Sequence, residues 1–476
     1  MRPSLRRRRS SIPTDLQAAR VGGDRMERVR PPHDSRESRP QVKKRTGADR
    51  RGWSFSLALG GLLLLGTLTT LDGSKPAASR PETAGLSAEP LSAAVPSRVD
   101  YARLDRRITR LMQEPDMVGL AVGAVEDGRV RFVKGYGEVL AGSGVPVTPD
   151  TVFRWGSVSK GVAAALVTKL AADGGPSLDT PVAELGTTLR LPGAAEGVTV
   201  AHVLSHRVGL VRNAWDDRLE AGEDPRALRT AFGELTPLCP PATCHAYQNI
   251  AYDAATEIVE GATGRAYAAV ARDRLFAPLG MASASMDRAG LQGARDWARP
   301  HRFRGTPTTV NDVYYRVPAA SGVNSSISDL VRWMRAQMGA APAVLSQATL
   351  AAMHSARVFT PPRGRRSAMD RAMTDPAYGL GWRSFVYAGR RLVGHRGTVD
   401  GYGALVLFDP ADRSGIVMLW NSNQHRAARL QLEFFDMLYG LPPTDWLDLA
   451  PLTPAPPASP PPAGPARPAT SSPPPS

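Results

Sequence analysis

Phe153-Arg154-Trp155-Gly156-Ser157-Val158-Ser159-Lys160 opens a run whose continuation, Val162 to Ala171, is apolar almost all round. A helix apolar on every side is a buried one. The chain holds six lysines against 53 arginines, so a lysine at the mouth of a buried helix stands out. Arginine keeps its proton, whereas a buried lysine can lose one and act as a base. Residues i and i+3 share a helix face, which puts the Lys160 amine within reach of the Ser157 hydroxyl. Ser157 falls at the helix start, where free backbone N–H groups favour developing negative charge. Taken alone, the pair also fits a helix-capping serine and an unrelated surface lysine.

The elements around this run define a folded part over 98–445. Tyr101, Leu104, Ile108, Leu111 and Met112 recur at helical spacing, predicting an amphipathic helix over 100–113. Val118–Val125 and Arg129–Gly135 flank Asp127-Gly128, a hairpin signal because both residues tolerate positive φ. The middle, about 180–370, alternates short helical patterns with Pro/Gly loops, the best helices being 252–262 and 266–276. Strands return at Trp382–Tyr387, Arg390–Gly394, Ala404–Phe408 and Gly415–Trp420, and a helix at 425–439 closes the series. Strands at both ends with helices between predict an α/β (α+β) domain. One antiparallel sheet is built from both termini, flanked by helices, with a helical lobe inserted in the middle. The expected pocket lies between lobe and sheet.

Two further constellations carry chemistry. Tyr247-Gln248-Asn249 precedes a helical stretch; a phenol beside a cationic amine is expected to have its pKa lowered and to relay a proton. The amide of Asn249 is placed to orient a substrate carbonyl or the lysine. His395-Arg396-Gly397-Thr398 lies between two predicted strands. Gly397 admits close approach to the backbone, and the N–H groups of Thr398 and Ser157 are candidates for an oxyanion hole, worth roughly 3–4 kcal/mol per donor. By strand alternation Arg396 points away from His395. Read singly, these are also a core tyrosine, a turn asparagine and a loop histidine.

In this order, S-x-x-K, Y-x-N and a strand motif ending in Gly, the chain resembles class C β-lactamases, their penicillin-binding relatives and related esterases and D-peptidases. Val203-Leu204-Ser205-His206-Arg207-Val208-Gly209-Leu210 is similar to the family's L-L-x-H-x-S-G-L block, with Val208 for the usual serine. Phe276-Ala277-Pro278-Leu279-Gly280-Met281 resembles its F-x-P-L-G-M block. The resemblance spans about 100–440. It implies that Ser157 is acylated and that Lys160 and Tyr247 share the acid–base work. Asn249 would orient the substrate, and His395, Gly397 and Thr398 would line the site. The third motif reads His-Arg-Gly where β-lactamases carry Lys-Thr/Ser-Gly, which favours an esterase or D-peptidase over a true β-lactamase or D,D-carboxypeptidase. A catalytically silent envelope binding or scaffold protein is the alternative of another class.

The sequence also sorts its outer segments. The 476 residues are 42% hydrophobic and 22% charged, which excludes a wholly disordered chain. Met1 to Arg51 holds 16 Lys/Arg against six Asp/Glu, so most of the net +15 sits in a basic tail (1–51) lacking interleaved aromatics, and no nucleic-acid partner is expected. Trp53–Leu71 is 19 residues without a charge, after Lys43, Lys44, Arg45, Arg50 and Arg51. A single-pass signal anchor over 52–72 is expected, with the N-terminus cytoplasmic and the catalytic domain periplasmic or extracellular. A cleaved signal peptide is the other reading, less favoured because no A-x-A site follows directly. Met26 is an alternative start. Residues 73–97 read as an Ala/Ser/Pro linker, and 446–476 as a disordered tail, with 12 prolines after residue 450. In an oxidising compartment Cys239 and Cys244 are either bridged or two unpaired small residues. G-x-S-x-G, H-E-x-x-H and a phosphate loop are all missing from the sequence, and neither a metal nor a cofactor is expected. The expected partner is a small molecule or peptide with an ester, amide or lactam bond; oligomeric state is open.

Overall fold

The first and last strands of the domain lie side by side at the heart of one sheet. This computed structural model describes residues 96–449 except 194 and 361–366. The basic tail, the Trp53–Leu71 anchor, nearly all of the linker and the Pro-rich end lie outside the described residues. Among those described, no helix is long and apolar enough to cross a membrane.

The strands are β1 (Gly119–Glu126), β2 (Arg129–Gly137), β3 (Val152–Arg154), β4 (Asn324–Ser326), β5 (Val358–Phe359), β6 (Thr374–Tyr378), β7 (Arg383–Tyr387), β8 (Arg390–Val399), β9 (Tyr402–Asp409) and β10 (Ser414–Trp420). Eight of them form an antiparallel sheet in the order β2-β1-β10-β9-β8-β7-β6-β5, while β3 and β4 pair separately. The β1–β2 turn places Asp127 at φ 52° and Gly128 at φ 75°, the two positive angles the Asp-Gly signal requires. Every residue of β1, β9 and β10 is buried, which explains their unbroken apolar runs: both sheet faces are covered.

One face packs against α1 (Tyr101–Leu111) and a C-terminal helix, Leu430–Leu438. α1 starts where the Asp100 carboxylate accepts from the Arg103 N–H (2.8 Å), and it buries Leu104, Ile108 and Leu111. Leu447 and Leu449 bury on this face too, so packing runs past the expected boundary at 445; apolar side chains there find the same core. The other face carries the helical region. It includes α2 (Lys160–Ala172), α3 (Ala254–Thr263) and α4 (Ile327–Gln337) around a larger core that holds Trp155, Trp333 and Trp382. The Leu430–Leu438 helix is α5 hereafter.

Several boundaries differ from expectation. The expected helix at 266–276 is α-helical over Tyr267–Ala271 and continues as a π-type turn through Phe276. β8 runs on through Val399, so His395-Arg396-Gly397-Thr398 is strand and not a loop between strands. Pairing with β9 through Val399 holds it extended. Cys239 and Cys244 are bridged. The strap they close packs on the preceding segment, with the Leu238 N–H donating to Gly209 O (2.7 Å) and the Ala242 N–H to Arg207 O (2.8 Å).

Candidate active site

Ser157 sits in a 3₁₀ turn, Gly156–Ser159, leading into α2. Three bonds clamp this turn to the β3–β4 side. Trp155 Nε1 donates to Ser325 Oγ (2.9 Å), the Trp155 N–H to Val323 O (2.9 Å), and the Val323 N–H to Ser159 Oγ (3.0 Å). The turn then docks on β8. Pairing with β7 ends at Gly394 while pairing with β9 continues to Val399, so from His395 onward β8 has an open edge. The turn fills it at glycine contacts. A Cβ on Gly397 would stand 1.8 Å from the Trp155 carbonyl oxygen and 3.0 Å from Ser157 N. One on Gly156, where φ is +52°, would stand 2.8 Å from Thr398 N. The backbone nitrogens of Ser157 and Thr398 therefore meet at one junction.

Lys160 is fully buried. Its Nζ donates to Asn249 Oδ1 (2.7 Å) and to the Ala320 carbonyl (3.1 Å), and lies 3.4 Å from Ser157 Oγ. The orientation of Asn249 is fixed from its far side: its Nδ2 donates to Asp216 Oδ2 (2.7 Å), and a carboxylate only accepts, so Oδ1 must face the amine. Burial lowers the Lys160 pKa from 10.5 to about 7, with the carboxylates of Asp216 and Asp253 pulling the other way. A neutral amine has two protons to give. Two carbonyl oxygens accept them, which leaves its lone pair for Ser157 Oγ.

Tyr247 is buried, its ring 4.6 Å from Lys160 Nζ. Its hydroxyl makes no hydrogen bond of good geometry among the described residues, although Ser157 lies near enough to pull its pKa down. The expectation of a lowered phenol pKa is corrected here: burial dominates and pushes it up to about 12. The amine carries the large downward shift. His395 stands on β8 with its ring 6.2 Å from that of Tyr247. It offers no nitrogen to a substrate, because Nε2 pairs with the Tyr378 hydroxyl (3.0 Å) and Nδ1 with the Arg396 carbonyl (2.7 Å). Among the described residues no cluster of His, Cys, Asp or Glu is arranged to hold a metal ion.

A family profile described as Beta-lactamase matches residues 104–435. The chain belongs to the beta-lactamase family. It is 30% identical over 350 residues to unguisins hydrolase ungD' of Aspergillus campestris, covering 69% of this chain and 64% of that protein. It is 29% identical over 357 residues to penicillin-binding protein 4 of Amycolatopsis lactamdurans, covering 72% and 90%. The chain thus spans just under two thirds of the unguisins hydrolase. Among solved structures, a class C beta-lactamase mutant aligns with a TM-score of 0.59 at 23% identity, over 72% of this chain and 97% of that one. The antiparallel sheet from both termini and the helical middle are the beta-lactamase/transpeptidase fold.

In this beta-lactamase-family protein the cavity beside Ser157 measures about 500 Å³. Tyr247, His395 and Thr398 line it, as do Arg212, Arg383 and Arg396. Arg396 shares its sheet face with its partner Leu405, opposite His395, as alternation requires. The cavity wraps the open strand edge and so reaches both. Sequence reasoning missed the three arginines as a group, since they are scattered over three segments. It also missed Asp216 and Tyr378, and it read His206 as structural. Tyr378, four residues ahead of Trp382, fell just outside a predicted strand, because Pro376 breaks the pattern of β6.

Proposed function

We propose that this protein hydrolyses an ester or amide bond through an acyl-enzyme on Ser157, with Lys160 as the base. The observation that carries the reading is the Lys160 amine, deprived of water and held by two acceptors with its remaining valence toward Ser157 Oγ. Ser157 Oγ bonds to the substrate carbonyl carbon as its proton passes to Nζ. The carbonyl oxygen becomes an oxyanion facing the Ser157 and Thr398 N–H groups. Tyr247, protonated at neutral pH, stands where it can hand a proton to the leaving group while Lys160 restores it. Water then attacks the acyl carbon by the same route and frees Ser157.

An esterase or D-peptidase remains the favoured activity. Arg212, Arg383 and Arg396 along the cavity favour a substrate with a carboxylate near the scissile bond. That charge stands in for the lysine missing from the third motif, and it keeps D,D-carboxypeptidase or β-lactamase activity as the second reading. The test is Ser157→Ala against a chromogenic ester, a D-amino-acid peptide and a cephalosporin. Loss of turnover on whichever the parent hydrolyses is expected; equal turnover in both proteins overturns the reading. Covalent labelling by a fluorophosphonate or penicillin probe separates an enzyme from a silent scaffold.

The location belongs to the same proposal. The uncharged Trp53–Leu71 stretch behind a basic flank supports a membrane tether with the hydrolase outside the cytoplasm. The Cys239–Cys244 bridge supports an oxidising compartment. Membrane fractionation and the mature N-terminal sequence test it; a soluble species starting after Leu71 overturns the tether.

A further inference from the structure

We infer that Tyr378 is a positioning residue, the middle of a one-directional hydrogen-bond relay that joins His206 to His395 and so ties the lobe bearing Tyr247 to the strand bearing Thr398. The consequence for turnover rests on the hydrolase reading above; the relay itself does not.

His206 lies 172 positions before Tyr378, Tyr378 and His395 stand 17 apart on β6 and β8, and all three side chains are buried. His206 Nε2 lies 3.1 Å from the Tyr378 hydroxyl, which lies 3.0 Å from His395 Nε2. The direction follows from either end. At one end, the Gln248 N–H donates to His206 Nδ1 (3.2 Å), so in a neutral ring the proton is on Nε2. His206 then donates to the Tyr378 oxygen, and the Tyr378 O–H must donate to His395. At the other end, the Arg396 carbonyl facing His395 Nδ1 (2.7 Å) can only accept, so that ring carries its proton on Nδ1 and presents a lone pair at Nε2. Both ends demand the same orientation of the tyrosine hydroxyl, and no group in the chain is left over. Burial favours the neutral state of both rings and of the phenol.

The relay touches the site at both ends. The His206 ring lies 4.2 Å from that of Tyr247, and its Nδ1 anchors the backbone of the next residue, Gln248. His395 sits three residues before Thr398 on the open edge of β8. Tyr378 therefore sets the separation between the phenol and one of the two oxyanion N–H groups.

Selective ¹⁵N-histidine labelling of the full-length protein reads the relay directly. His206 is expected as the Nε2–H tautomer and His395 as the Nδ1–H tautomer, neither titrating between about pH 6 and pH 8. Like tautomers in both rings, or titration of either, overturns the inference whatever the activity. Tyr378→Phe removes the hydroxyl alone. With the Arg396 carbonyl still holding the proton on Nδ1, it is expected to leave the His395 tautomer in place, to shift the Nε2 resonances of both His395 and His206, and to lower kcat about tenfold with KM changed less than about twofold. An unchanged kcat, or a loss confined to KM, overturns the positioning role. If the variant does not fold, the tautomers of the parent decide. Failure of a fluorophosphonate to label Ser157 in the parent would count against the hydrolase reading and leave the tautomer result intact.

Discussion

Two buried cations in this protein show opposite solutions to the same problem. Arg229, 2% exposed, donates to Asp253 Oδ2 (3.0 Å), Glu257 Oε1 (2.9 Å) and Thr188 Oγ1 (2.9 Å). Lys160, fully buried, makes no ion pair among the described residues and meets carbonyl oxygens instead. The first arrangement holds a permanent charge, which suits a guanidinium and serves architecture. The second leaves the amine free to lose its proton, which suits chemistry. The two are linked. Asp253 Oδ1 accepts from the Ala319 N–H (3.0 Å), and the carbonyl of the following residue, Ala320, is the one that holds Lys160. The Arg229–Asp253 pair thus fixes an acceptor for the Lys160 amine.

The comparison can be broken by exchanging the cations. Lys160→Arg puts a group that keeps its proton where the proposed mechanism calls for a base. Turnover is expected to fall by about a thousandfold or more with the fold retained by circular dichroism, and near-parental turnover would break the contrast. Arg229→Met leaves Asp253 buried without its partner. A loss of about 3–5 kcal/mol in urea unfolding is expected, with turnover per folded molecule affected far less than by the lysine exchange.

The contrast is sharpened by giving Lys160 what Arg229 has. In the parent, kcat/KM is expected to rise with pH through about 7, as the amine loses its proton. Asn249→Asp turns one carboxyl oxygen toward Nζ at 2.7 Å and the other against Asp216 Oδ2, so the two carboxyls share a proton; the charge brought nearer the amine is expected to move that limb up by about 1 pH unit. Stability carries the matching sign. The folded pKa lies below the unfolded 10.5, so the cost of burying the amine is fully present below pH 7 and fades as pH rises toward 10.5. The stability of the parent relative to Lys160→Met should therefore improve over that window, measured by denaturation at several pH values. The smallest effect is expected from Tyr252→Phe, which removes the bond from the Tyr252 hydroxyl to Lys160 O (2.8 Å). It should cost about 1 kcal/mol of stability and leave the pH profile in place.

What the sequence makes legible follows how locally each feature is encoded. Asp127-Gly128 announces its hairpin because the turn angles belong to two adjacent residues. Ser157 and Lys160 find each other because helical spacing is local. The three-residue strands β3 and β4 gave no periodic signal, yet they hold the serine turn in place. The continuation of β8 through Gly397 was hidden because glycine reads as a break, whereas here it admits the Trp155 carbonyl. The direction of the Tyr247 shift was misjudged because charge proximity is visible in a motif and desolvation is not. His206 and Tyr378 stand 172 positions apart in the chain and meet through tertiary packing alone.

The pairing of β1 with β10, Leu120 opposite Trp420, has a consequence for biosynthesis. The strand made first waits for one made some three hundred residues later, so the ribosome must release nearly the whole domain before its middle can zip. Until then an early hairpin offers a bare apolar margin. Such lateness leaves that margin open to other chains for most of the time the domain is being made.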